Sequence, residues 1–208
     1  MSSIGNEQKA IPWKEAAGLK LEKLLDAIQG QRHDFLNHLQ VIAGLLQLKK
    51  VDRAMDYLKQ VSNEVAKYSH TSKVTIPELS AALLIAINEA AMLQIELVLS
   101  INSDLAKCAV PGAVVSNALE ICLNSAFETI AMQEIEERRR LEVVFAEREQ
   151  EYTCRLLFPE PLLADLKRFE ATLVPAVEML SPYGGALDLA LANNGVKIFF
   201  TLPRQGFE

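Results

Sequence analysis

From Trp13 to about Lys49 the apolar residues Leu21, Leu24, Leu25, Ile28, Phe35, Leu39, Ile42 and Leu46 recur at helical spacing, three, four or seven apart, with only Gly18, Gly30 and Gly44 to weaken the pattern. The spacing predicts one long amphipathic helix. Lys49-Lys50-Val51-Asp52 breaks it, with the lysines suited to a helix C-terminus and Asp52 to the N-cap of a second helix running to about Ser69. Ala54, Tyr57, Leu58, Val61, Val65 and Tyr68 share one side of that second helix, and so short a link makes the two an antiparallel hairpin. The hairpin's apolar face must be covered by the rest of the chain or by a second hairpin, which would give a four-helix bundle in a homodimer.

The polar stretch His70-Thr71-Ser72-Lys73 reads as a boundary, dividing the chain into residues 1–72 and 73–208, with His70 a linker residue. Beyond it Pro77 opens a helix over Glu78 to Gln94, and Ile95 to Ile101 alternates as a strand. A helix follows from about Pro111 to Ile135. Leu141–Ala146 and Tyr152–Phe158 read as strands around a tight turn, then a helix from about Pro161 to Leu180. Ala186–Ala190 and Val196–Leu202 close as a hairpin through Asn193-Asn194-Gly195. The fold class expected is α+β: the helical hairpin, then one mixed sheet with helices on one face.

Half of the 208 residues are hydrophobic, enough for a real core, and the net charge of −6 argues against a nucleic-acid groove. Cys108, Cys122 and Cys154 are widely spaced in apolar settings and read as buried free thiols, which fits a reducing cytoplasm. No stretch reaches the roughly 18 apolar residues of a membrane helix, and no signal-peptide pattern opens the chain, so a soluble cytoplasmic protein is expected.

The candidate chemistry lies in Gln31-Arg32-His33-Asp34-Phe35-Leu36-Asn37-His38. At about 100° per residue His33 falls roughly 135° from the apolar stripe centred on Leu39, and so faces solvent. Gln29, Asn37, Gln40, Gly44 and Gln47 share that face, a strip of small neutral groups against which a partner could dock flat. Imidazole is nucleophilic near neutral pH and can accept phosphorus, while Asn37, one turn on, can orient its second nitrogen. Asp34 lies about 100° round the helix, where it can meet a basic group on a partner. His33 and His38 stand five apart, off the i, i+4 spacing of a helical zinc pair, and His38 reads as a bundle-edge residue.

The run R-H-D-x-x-N-x-L-x-x-I-x-G-L-L-x-L from Arg32 to Leu48 resembles the phosphoacceptor helix of the sporulation phosphorelay phosphotransferase B family and of the related citrate and fumarate sensor kinases. The resemblance implies that His33 is the phosphorylated residue, supported by Arg32, Asp34, Asn37 and Gln40; Gln29 and Gly44 join the partner-binding face by helical position alone. It also implies that residues 77–203 form a histidine-kinase ATPase-like α/β sandwich. The ligands ATP·Mg²⁺ needs are largely missing there. Aligning Ala126 and Glu128 with the family's N-A-x-E puts Ile121 and Ser125 where asparagines belong, and only Asn124 stands nearby. Leu157-Phe158-Pro159-Glu160-Pro161-Leu162 stands in place of D-x-G-x-G, and Leu173 to Glu178 runs into helix where a glycine-rich lid is expected. With the ATPase-like domain degenerate, the resemblance implies a phosphotransferase between aspartates of two response-regulator receivers, with no tightly bound cofactor expected and Mg²⁺ supplied by the receiver. A soluble sensor histidine kinase, a non-catalytic receiver-binding module and an aspartyl-phosphate phosphatase using Asn37 or Gln40 are the alternatives.

Overall fold

The computed structural model describes residues 12–71, 73–132, 139–159, 166–192 and 195–206. Helix α1 spans Pro12–Gln47 and α2 spans Val51–Thr71, joined by a three-residue turn. The turn closes as a Schellman motif: Lys50 N–H donates to Leu45 O and Lys49 N–H to Leu46 O, each at 2.9 Å, with Lys49 in the left-handed region at φ 57. The two lysines therefore sit beyond the helix end and not in its last turn. Asp52 lies inside the first turn of α2, where its charge favours the helix N-terminus but its side chain is not the cap. Helix α2 continues through His70 and Thr71, so His70 belongs to its last turn and not to a linker.

Helix α3 (Pro77–Met92) starts at its proline, whose fixed φ and missing N–H suit the first helical position. It ends in a second Schellman closure, with Ile95 N–H on Ala90 O and Gln94 left-handed at φ 56. Strand β1 (Glu96–Ile101) follows, then α4 (Gly112–Ala131), which stops short of the expected Ile135; residues 133–138 lie outside the described residues. Strands β2 (Arg140–Glu147) and β3 (Glu151–Phe158) form the expected hairpin. Helix α5 is described from Leu166 to Leu180, the earlier part of its expected span and the loop from Glu160 lying outside the described residues. Strands β4 (Ala186–Ala192) and β5 (Gly195–Pro203) pair antiparallel, while Asn193 and Asn194 are likewise outside.

The sheet order is β1-β2-β3-β5-β4, with β1 parallel to β2 and every other pair antiparallel, a mixed sheet as expected. Alternate residues of the strands are buried, Leu141, Val143 and Phe145 on β2 and Val196, Ile198, Phe200 and Leu202 on β5. That period of two marks one face covered by α3, α4 and α5 and one that the described residues leave open. The core joins these strands to Leu79, Leu83 and Ala86 of α3, Leu119, Cys122, Leu123 and Ala126 of α4, and Phe169, Leu173 and Ala176 of α5. No described helix is long and apolar enough to cross a membrane.

Candidate functional site

Helix α1 presents two flanks, which its pitch of about 100° per residue makes explicit. Taking Gly30 as zero, Lys23, Ala27 and Lys20 fall within about 80° on one side, and this flank is packed against the α/β part. Ala27 is fully buried, and a Cβ on Gly30 would meet Asn88 Oδ1 of α3 at 3.2 Å. Lys23 Nζ binds Glu89 at 2.7 Å, and Lys20 Nζ pairs with Glu120 and donates to Ser116 Oγ at 2.6 Å. Ser116 Oγ in turn donates to Glu78 O at 2.9 Å, at the start of α3. The second contact region, on the same side of the helix but in its C-terminal half, meets α2: His38 Nδ1 lies 2.9 Å from Tyr57 Oη and the rings tilt together at 5.8 Å. His38 is half-buried there, the bundle-edge position expected of it.

The other flank, about 180° from Gly30, is the apolar stripe of Leu21, Leu25, Ile28, Phe35, Leu39 and Leu46, and all six are exposed. His33 lies about 60° from Gly30 on the side away from α2, so it stands between the α3 contact and the open stripe. Its ring is exposed, and Asn37 Nδ2 lies 3.1 Å from His33 Nδ1. Gln29, Arg32, Asp34, Asn37 and Gln40 are exposed around it, and a Cβ on Gly44 would touch nothing within 4 Å, which leaves backbone open to approach there. Asn37, four residues from His33, is the neighbour among the described residues whose polar atom is brought onto the ring.

The sequence-derived nucleotide positions fall on α4, on α5 and at the end of β3, where Leu157 and Phe158 close the strand and Glu160 to Leu162 lie outside the described residues. Ser125 is buried, its hydroxyl 2.9 Å from Thr172 Oγ1, which itself donates to Phe169 O at 2.7 Å. A hydroxyl has one proton to give, so Ser125 donates to Thr172 and the pair ties α4 to α5. Ile121 is half-buried, and Asn124 is exposed, turned away from that seam by the helix pitch. Leu173 to Glu178 lie within α5, with Leu173 and Ala176 buried, and Gly184, left-handed at φ 73, belongs to the turn before β4. Among the described residues no cluster of three His, Cys, Asp or Glu side chains could hold a metal ion. The three cysteines are free; burial raises the thiol pKa of Cys122 and Cys154 most, and that of half-buried Cys108 as well.

Lys20, Lys23, Asn88, Ser116 and Thr172 escape a reading of the sequence, because their contacts join segments about 50 to 100 residues apart and leave no local pattern.

Residues 16–74 match the family described as the sensor kinase SpoOB-type alpha-helical domain. The sensor protein CitS of Halalkalibacterium halodurans is 35% identical over 82 residues, a segment that is 38% of this chain and 15% of that protein. The catalytic domain of histidine kinase ThkA, nucleotide-free, superimposes in two crystal forms with TM-scores of 0.50 and 0.51 at 11% and 12% identity. Each covers 61% of this chain and spans 90% and 92% of that domain. The helical region is thus similar to those of sensor kinases, and the α/β part has the fold of histidine-kinase catalytic domains.

Proposed function

We propose that this protein is a transferase of two-component signalling that carries a phosphoryl group on His33. The observation that carries the reading is the exposed imidazole with Asn37 on its Nδ1 at 3.1 Å. The oxygen and nitrogen of an amide are interchangeable at such a placement. With Oδ1 turned to the ring, Asn37 accepts the Nδ1–H and leaves the Nε2 lone pair free to attack. In-line attack on an aspartyl phosphate then forms the Nε2–P bond as the P–O bond to the aspartate breaks, and the carboxylate leaves. The reverse step delivers the group to a second receiver. Mg²⁺ held by the receiver's own acidic pocket neutralises the phosphoryl oxygens. Arg32, Asp34, Gln40, Gln29 and Gly44 supply the surrounding docking face, and the open stripe of α1 pairs with a second copy in a homodimer.

In this reading the phosphoryl source is a receiver, as in a phosphorelay of the sporulation type, and not ATP. It is supported by the Ser125–Thr172 contact, which puts α5 against α4 where the resemblance would place an asparagine ligand. A soluble sensor histidine kinase is the second reading, and the similarities favour it over the relay: the matching helical family is a sensor-kinase domain, the CitS relative is a sensor protein, and the α/β fold is that of a kinase catalytic domain. One experiment separates them. Wild-type and His33→Gln proteins are incubated with a receiver phosphorylated by acetyl phosphate and, separately, with labelled ATP and Mg²⁺. Label reaching wild-type but not His33→Gln protein from the receiver alone supports the relay; label reaching His33 from ATP alone supports the kinase. A receiver that loses phosphate without labelling His33 favours a phosphatase.

A further inference from the structure

Helix α3 runs beside α1 in the same sense. Its first residues share Ser116 Oγ with Lys20, since that hydroxyl meets both Lys20 Nζ and Glu78 O. Ten residues further along each helix, Asn88 meets Gly30. Ten residues are about 15 Å of helix, so the two run in the same general direction, anchored at the Gly30–Asn88 approach. Four more residues bring α3 to its end at Met92, at about the axial level of Asp34. Met92 lies on the same side of α3 as Asn88, whose amide nitrogen is 3.8 Å from its sulfur, yet it is 77% exposed. Helix α4 ends at the same place: Arg139 donates to Leu93 O and to Ala131 O, both at 3.3 Å, so one guanidinium joins the two C-termini. The next residue, Met132, is 80% exposed. Met92, Leu93 and Met132 are thus exposed at these joined ends, with Met92 at an axial level close to that of His33.

We propose that the joined C-terminal ends of α3 and α4, presenting Met92, Leu93 and Met132, form the second wall of the receiver-docking site. The inference rests on the reading of His33 as a phosphoacceptor. A receiver whose aspartate is brought onto His33 covers about 800 Å² of this protein, a patch of about 16 Å radius. Packed helices stand about 8 to 10 Å apart, so the end of α3 falls inside that patch. The partner meets a step and not a flat strip: polar α1 residues under its aspartate and an apolar ledge at the side. Unbranched methionines suit such a ledge because they adapt to the surface placed on them. The wall belongs to the α/β part, which gives that domain a task in choosing receivers that needs no nucleotide.

The test measures the initial rate of transfer, without ATP, from an acetyl-phosphate-labelled receiver to Met92→Glu, Met92→Glu/Met132→Glu and Leu191→Glu proteins; Leu191 is a control of comparable character on the far strand β4. The expected result is a loss of at least tenfold at low receiver concentration for the first two, recovered as the receiver is raised, with Leu191→Glu like wild type. Transfer to Met92→Glu at the wild-type rate overturns the inference while leaving the role of His33 intact. A change in sedimentation of Met92→Glu also overturns it, because the ledge then serves contacts between copies. Failure of wild-type protein to accept phosphate from any receiver of the same genome sinks the reading of His33 itself, and this wall with it.

Discussion

Substitution of Leu39 by alanine tests how the hairpin is covered. Leu39 sits at the centre of the open stripe of α1, about 180° from the flank that meets α3, and is 47% exposed in the single chain. Full burial of a leucine side chain stabilises by about 1.5–3 kcal/mol, so the half still exposed offers about 0.7–1.5 kcal/mol to a second copy. A two-fold interface uses each residue twice, giving about 1.5–3 kcal/mol per dimer, equivalent to a Kd about ten- to a hundredfold higher in Leu39→Ala. Sedimentation equilibrium across a concentration range reads that shift, and circular dichroism checks that helicity is unchanged. Leu191→Ala, equally exposed but on β4, should leave the dimer as it is. A wild-type chain that stays monomeric at every concentration, or a Leu39→Ala protein with unchanged association, would refute the assignment of this stripe to a second copy.

Asn37→Asp retains an acceptor for Nδ1–H and should keep transfer to His33, whereas Asn37→Leu should slow it about tenfold, the worth of one hydrogen bond, as read by single-turnover transfer from a receiver. Gly195→Ala should cost about 2–4 kcal/mol in urea denaturation, since φ is 150 and the added Cβ would lie 2.1 Å from Phe158 O. The buried thiols make stability pH-dependent on the alkaline side: burial raises Cys122 and Cys154 above their ordinary value of 9.0 in the folded chain. Below that value both states hold the protons and nothing changes; above it only the unfolded chain ionises, and stability falls by about 1.4 kcal/mol per pH unit for each thiol. Comparison of wild type with Cys122→Ala/Cys154→Ala between pH 8 and 10 should show a shallower decline in the variant.

Elements whose signal is local were legible. The 3.6-residue period of α1, the alternation in β2, β3 and β5, and the proline opening α3 each announce an element from within its own residues. Helix ends were less so, for a physical reason: Lys49 and Gln94 occupy the left-handed positions where glycine is the usual signpost, and six-to-one backbone bonds carry both closures without it. Asp52 misled because an acidic residue suits the first turn as well as the cap. His33 and Asn37 were readable together because four residues make one turn. In the sequence Gly30 reads only as a weak point in a helical pattern, yet it lies where α3 approaches closely, a cause fixed by Asn88 nearly sixty residues away.

The same approach bears on which reading of the α/β part its contacts favour. A kinase must free its nucleotide-bearing domain to carry phosphate to the histidine, whereas a relay can hold it still. The ionic contacts alone would not hold it: Lys20 with Glu120 and Lys23 with Glu89 are partly exposed pairs, worth about 0–1 kcal/mol each and weakened by salt. The greater restraint comes from the small residues that follow them along α1. Ala27 is fully buried and Gly30 lets Asn88 approach at a distance that a side chain would obstruct, so the seam is close-packed along the stretch leading to His33. Gly30→Leu, which wedges that seam while leaving His33, Asn37 and both lysines in place, therefore separates the readings. It should raise hydrogen exchange in α3 and lower receiver-to-His33 transfer if the domain acts as a fixed wall. If release of the domain is what activates His33, the same wedge should speed phosphorylation.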